Sequence, residues 1–209
     1  MRYQRTLLLS ASCFFLAFLC SVLWRYQGDK DLADRIAPRI LRFHVLANSN
    51  SSADQQKKLQ VKALILEKLQ ECPDDSKKGL CRYIQEHRGE LEDYADAWLR
   101  DQGCDYETAI CVTRAYFPTK AYGDLVLPCG TYDTVQVTLG QGRGRNWWCV
   151  LYPSLCFIDS THGVIPEQSK EELRGLLPEE DFSAVMDPAA RVRIRLKLLE
   201  LLLPQAQTS

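Results

Sequence analysis

The sequence predicts an α+β fold: a single domain with a mainly antiparallel sheet and two or three helices, preceded by an N-terminal apolar export or anchor helix. Three observations carry this expectation. Strand and helix patterns follow in the order β-α-α-β-β-β-(α), without the regular alternation of a parallel α/β sheet. The 209 residues are 46% hydrophobic and 25% charged, an ordinary globular balance. One long uncharged run stands apart from that balance, near the N-terminal end.

That run extends from Thr6 to Trp24 between Arg5 and Arg25. As a helix it is roughly 28 Å long, about one bilayer hydrocarbon core. Residues 1–24 are therefore read as a signal peptide or signal anchor, 25–38 as a polar linker and 39–209 as the domain. Retention is favoured over cleavage, because Leu23-Trp24-Arg25 is too bulky for a small-x-small cleavage site. A short N-terminal tail, with the bulk of the chain behind the segment, favours an exported domain. All 27 acidic residues follow Trp24. With a formal net charge of −1 and no basic stripe, a nucleic-acid partner is not expected.

Ile40 to Ala47 mixes β-favouring residues in partial alternation and reads as the first strand. Ser52 with Gln55 resembles a capping box and opens a helix to Gln70, with Val61, Leu64, Ile65 and Leu69 on its apolar face and Pro73 as its stop. A second helix is expected from Ser76 to Gln102, with Leu80, Ile84, His87, Leu91, Tyr94 and Trp98 on one stripe, ending at Gly103. Tyr106–Tyr116 and Tyr132–Leu139 read as strands, the second alternating Val135, Val137 and Leu139 with polar residues. Arg191–Lys197 fits either an edge strand or an amphipathic helix.

Of the nine cysteines, Cys13 and Cys20 lie in the apolar run, leaving an odd number outside it. Cys149 and Cys156 can face each other if Tyr152-Pro153 turns the chain, giving a disulfide in an oxidising compartment or two buried thiols. Cys72–Cys81 and Cys104–Cys111 are weaker pairs. No CxxC or His-x(3–5)-His spacing supports a zinc site, and no cofactor is expected. A Cys–His pair of Cys149 or Cys156 with His162 is conceivable chemistry, but no nucleophile elbow accompanies it. His44 and His87 fall on a strand and on an apolar helix stripe, where a histidine is usually structural. Gly140-x-Gly142-x-Gly144 lacks the dinucleotide spacing; it reads as a phosphate nest with Arg143 and Arg145, or as a flexible hairpin loop. Directly after it, Trp147 and Trp148 must point to opposite faces of a strand. One enters the core and the other serves as a partner anchor, or both lie under loops.

Three stretches, Leu41–Lys62, Phe117–Gly123 (FPTKAYG) and Pro128–Phe157 (PCGTYDTVQVTLGQGRGRNWWCVLYPSLCF), together resemble the stage II sporulation protein R family of endospore-forming bacteria. The family pattern differs where Asn50, Cys129 and Pro153-Ser154 stand. It carries an acidic residue, an alanine and a double proline there. The resemblance implies a signalling protein and not an enzyme, made in the forespore and exported to the space between the two membranes. Its implied partner is a mother-cell membrane protease of the stage II sporulation protein GA type, which cleaves the precursor of sigma E. Asn146, Trp147, Trp148, Gly140, Gly142 and Gly144 are the candidate partner-binding residues, with Asn48 and Ser49 as outer candidates. Phe117, Pro118, Lys120 and Tyr122 form a candidate adjoining rim. A peptidoglycan-binding module and a Cys-dependent envelope hydrolase are the competing classes.

Overall fold

Sheet pairing explains most of the architecture. The computed structural model describes residues 2–156, 165 and 167–187; His162 and Arg191–Lys197 lie outside these. Helix α1 (Arg2–Ile36) leads through a short 3-10 turn at Ala37–Arg39 into strand β1 (Leu41–Leu46). Helices α2 (Ser52–Leu69), α3 (Lys77–Glu86) and α4 (Arg88–Asp101) follow, then β2 (Thr108–Phe117), β3 (Lys120–Tyr122), β4 (Leu125–Leu127), β5 (Gly130–Leu139) and β6 (Asn146–Tyr152). Helices α5 (Glu167–Leu176) and α6 (Glu179–Met186) come last among the described residues. The main sheet has the order β2-β5-β1-β6, and β3 and β4 form a separate pair. β1 runs parallel to β5 and antiparallel to β6, while β2 and β5 are antiparallel. The fold is therefore α+β and mainly antiparallel, as expected, with five helices after the N-terminal apolar one among the described residues, against the two or three expected.

The sheet has two unlike faces because side chains alternate along each strand. Leu41, Phe43, Val45, Val135, Val137, Leu139, Ile110 and Cys149 pack against the buried sides of α2, α3 and α4. The other face carries Arg42, His44, Thr134, Gln136, Thr138 and Val150, whose register partners place them together. Its lower half, toward the start of β1, is covered by Leu32, Ala33 and Ile36 of α1, by the β3–β4 pair and by α5 and α6. Among the described residues its upper half stays open, with Ala109, Cys111 and Thr113 exposed.

Several local expectations change. The polar stretch 25–38 is not an irregular linker: α1 continues to Ile36 and a 3-10 turn follows, and Leu32, Ala33, Ile36 and Ala37 are buried in the lower core. Those four apolar positions recur at helical spacing among charges, which makes the segment amphipathic and not irregular. Residues 9–24 of the same helix are not buried, and a helix long and apolar enough to cross a membrane includes them. The expected second helix is broken at His87, whose ψ of 16° leaves the helical region. Its ring lies beside Tyr83 and pairs with Glu90, so the buried face of α4 is Leu91, Ala95 and Leu99. A period-3.6 pattern does not distinguish one straight helix from two that bend around a twisted sheet. The cap of α2 is Ser51, one residue earlier than expected; its hydroxyl accepts from the Asp54 N–H.

Glycine is required where α1 meets the sheet. A Cβ at Gly130 would stand 2.5 Å from the Ala33 methyl. The β2 edge is closed by α4: Asp96 and Glu92, one turn apart, accept the Thr108 and Ile110 backbone N–H groups. That arrangement blocks strand addition at β2. At the other edge, Cys149 and Cys156 are joined by a disulfide with Cα atoms 5.3 Å apart. The same turn returns the Leu155 N–H to the Val150 carbonyl.

Two predictions follow from this packing. Gly130→Val is expected to destabilise the domain by about 1–3 kcal/mol through overpacking, with Ala33→Gly recovering part of the loss in the double variant. Urea titration of the four-member cycle checks it, and simple additivity would refute the contact. Opening the short disulfide loop with Cys149→Ala/Cys156→Ala is expected to cost about 2–3 kcal/mol, read from the same titration.

Candidate functional site

Phe117, Pro118, Lys120 and Tyr122 lie toward the lower end of β1, while Asn48, Ser49, the Gly140–Gly144 loop, Asn146 and Trp147 gather around its upper end. There the chain leaves β5 and must reach β6, yet β1 lies between them. The connection from Gly140 to Arg145 therefore crosses over the end of β1 and lies against Ala47–Asn50. It is not a hairpin loop, because β5 and β6 are not paired. Nor is it a phosphate nest, since its N–H groups are engaged internally. Gly140 donates to Glu107, Gly142 to Leu139, Arg143 to the Asn48 carbonyl and Gly144 to the Ala47 carbonyl. Gln141 donates to Asn48 Oδ1 and Arg145 to Asn50 Oδ1. Gly140 and Gly142 have φ of 54° and 61°, which favour glycine, and a Cβ on Gly144 would collide with the Ser49 carbonyl.

Asp54 holds the other side of this clasp. Its carboxylate accepts from Ser49 Oγ at 2.5 Å, Tyr106 Oη at 3.0 Å and Asn48 Nδ2 at 3.1 Å. The Ser49 hydrogen bond, aided by those of Tyr106 and Asn48, holds the Asp54 pKa below the ordinary value against burial. Asn48 and Ser49 are thus structural partners of Asp54 and of the glycine loop. One turn further along α2, Lys58 Nζ donates to the Arg145 carbonyl at 2.9 Å and to Gln55. Asp54, Lys58 and Lys62 share one side of α2 through their i, i+4 spacing. Their charged residues were not singled out in the sequence; that spacing on an otherwise apolar helix face is the signal that marks them.

The two tryptophans occupy opposite faces, as strand alternation requires. Trp147 packs edge-on against Phe43 on the helical side, with Lys62 Nζ 4.6 Å from its ring centroid. Trp148 stacks on His44 at 3.8 Å and meets Phe117 at 4.5 Å on the other side. Both are half-buried. Asn146, at the start of β6, is exposed. The FPTKAYG segment joins this group through Phe117, but Phe117 is itself fully buried and shapes the surface from beneath. Pro118, Lys120 and Tyr122 are half-buried around it.

Beneath the Trp148 face lies a buried cation. Arg42 is fully buried with no carboxylate beside it among the described residues. Its guanidinium lies 4.3 Å from the Phe117 ring, 5.0 Å from Tyr132 and 5.7 Å from Tyr122. It donates to Tyr122 Oη at 2.9 Å and to the Cys149 carbonyl at 3.2 Å. Aromatic faces and neutral acceptors thus take the place of a counter-ion. Burial raises the Tyr122 and Tyr132 pKa values, the Arg42 charge opposing it. His44, 5% exposed, makes no hydrogen bond of good geometry through either ring nitrogen. Burial lowers its pKa to about 4, against a smaller opposing effect of the Asn146 side chain.

Among the described residues, these contacts hold the crossing loop, the two tryptophans and the buried Arg42 in fixed relation. With Cys149 and Cys156 joined to each other, neither is available as a thiolate nucleophile. Among the described residues, no group of three or more His, Cys, Asp or Glu is placed to hold a metal ion.

The His44 environment yields a pH prediction. The unfolded histidine takes its proton near 6.5, the folded one only near 4. Its stability contribution is complete above about pH 6.5 and is lost as the pH falls toward 4, to an extent of about 3 kcal/mol. His44→Phe is expected to flatten stability over that window, as measured by urea unfolding at successive pH values. An unchanged slope would refute this account of the site.

Comparisons with known proteins converge on this same region. The family model described as stage II sporulation protein R matches residues 37–162, which span the sheet, the clasp and the tryptophan pair. Stage II sporulation protein R of Bacillus subtilis (strain 168) is 34% identical over 140 residues, covering 66% of this chain and 62% of that protein. The match thus spans less than two thirds of that relative's length. No solved structure matches the chain. On the extent of the family match and the relative's identity, the chain belongs to the stage II sporulation protein R family.

Proposed function

We propose that this chain is an exported sporulation signal that activates a mother-cell membrane protease of the stage II sporulation protein GA type. The protease then removes the pro-sequence from the precursor of sigma E. The observation that carries this reading is the family match over residues 37–162, the domain that α1 tethers. Three features support it. An apolar helix suited to export or anchoring leads into the domain. A rigid, hydrogen-bonded loop presents two half-buried tryptophans. The two cysteines nearest a candidate catalytic arrangement are bonded to each other, which weakens the hydrolase alternative.

A ligand activates a receptor only by binding its active state more tightly than its inactive state. A preference of about 1.4 kcal/mol shifts that equilibrium tenfold, and one well-packed tryptophan contact is sufficient for it. Trp147 and Trp148 carry this role, each standing at the border between core and solvent.

Co-expression of this chain, its cognate protease and the sigma E precursor in a non-sporulating host is expected to yield the shortened sigma factor. Cleavage is expected to require both this chain and its export. Trp147→Ala or Trp148→Ala is expected to reduce product at least about tenfold, with circular dichroism reporting an intact fold. No cleavage with all three proteins present and the chain exported would overturn the trigger role. Binding of the chain to isolated peptidoglycan would then favour the envelope-module alternative.

A further inference from the structure

We infer that the surface formed by Arg143, Arg145, Lys62 and Trp147 is the docking site for an acidic segment of the partner protein. This deepens the proposed function and rests on it. Four observations bear on these groups. Arg143 and Arg145 are exposed, and neither guanidinium pairs with a carboxylate among the described residues. Their backbone is fixed by hydrogen bonds to Asn48 and Asn50, so the two side chains start from a rigid base. The Arg145 carbonyl accepts from Lys58, and Lys58 and Lys62 are one turn apart on α2. Lys62 in turn lies over the Trp147 ring and has no carboxylate partner among the described residues.

The charged side chains that define this surface, Arg143, Arg145 and Lys62, are all basic, as is the neighbouring Lys58. Asp54, one turn before Lys58 on α2, is occupied by Ser49, Asn48 and Tyr106 and is largely buried. The result is a half-buried aromatic ring flanked by cations that the fold leaves uncompensated. Such an arrangement complements carboxylates carried on an extended protein segment, with the ring supplying an apolar contact.

The surface lies far from the place where α1 joins the sheet. α1 reaches the sheet at its lower end, where Ala33 meets Gly130. The basic surface lies past the opposite end of β5, roughly 30 Å away along the strand. That is about four Debye lengths at physiological salt. The surface is thus set apart from the junction of α1 with the sheet, and an acidic segment of the protein partner is the occupant to which the charge complementarity points.

The test compares the full chain with an Arg143→Glu/Arg145→Glu variant and with Lys62→Gln. Arg100→Glu and Lys78→Glu serve as charge-matched controls on exposed helix positions elsewhere. Each is assayed for binding to membranes containing the cognate protease, for binding to protease-free vesicles of phosphatidylglycerol and cardiolipin, and for sigma E precursor cleavage in the co-expression host. The double reversal is expected to weaken protease-dependent binding and cleavage at least about tenfold, Lys62→Gln to weaken them less, and the controls to match wild type. Rising salt is expected to weaken wild-type binding more than that of the double variant. If wild type triggers cleavage and the double variant does so equally, the docking surface is refuted while the trigger function stands. If the variants lose binding to protease-free vesicles in the same measure, the occupant is a lipid surface and the protein partner is refuted. If wild type neither binds the protease nor triggers cleavage, the trigger function fails and this assignment fails with it.

Discussion

Everything in this fold follows from the placement of β1 between two strands that are neighbours in sequence but not in space. Leu41–Leu46 pairs in parallel with β5 on one side and antiparallel with β6 on the other. The chain leaving β5 must therefore pass over the end of β1 before it can pair. Close passage leaves no room for a side chain at Gly144 and imposes positive φ at Gly140 and Gly142. The glycine spacing is thus a consequence of topology. Asn48 and Asn50 supply the acceptors that hold the crossing segment, and Asp54 fixes Asn48 in turn.

The same strand separates two kinds of interior. Leu41, Phe43 and Val45 meet the helices, while Arg42 and His44 enter an aromatic layer made by Phe117, Tyr122, Tyr132 and Trp148. A one-residue slip would drive a guanidinium and an imidazole into the helical core and leave Phe43 on the half-open face. Two buried polar residues therefore specify the register more sharply than apolar alternation alone. Their cost is lessened by ring faces and by the Tyr122 and Cys149 acceptors.

Much of the fold was legible in the sequence where periodicity is local. The alternation of Val135, Val137 and Leu139 marked β5, the apolar face of Val61, Ile65 and Leu69 marked α2, and the adjacent tryptophans were assigned to opposite faces. What escaped depended on contacts distant in sequence. No local pattern reveals that β1 lies between β5 and β6, so the glycine loop read as a hairpin or a nest. His87 fitted a helical stripe and instead bends the chain between α3 and α4, because the stripe has the same period on both sides of the bend. The charges of residues 25–38 concealed Leu32, Ala33 and Ile36, which are too few to stand out until the lower sheet is present to receive them. Around the site, the sequence singles out Asn48, Ser49 and Phe117, whose hydrogen bonds and burial appear only in the fold, while Arg42, Asp54 and Lys62 gain meaning only from their partners.

The continuity of α1 sets a processing boundary. Its apolar portion and its core-filling portion belong to one helix, and Leu32 is the first described residue of that helix counted among the buried core. A peptidase that cut near Trp24 would release a domain with its lower core complete. A cut beyond Leu32 would instead withdraw part of the plug from beneath Phe117 and Tyr132 and uncover the aromatic layer around Arg42. The distance along the helix between those two points is only about two turns, so release of an intact domain and loss of its lower core are separated by a narrow margin of chain.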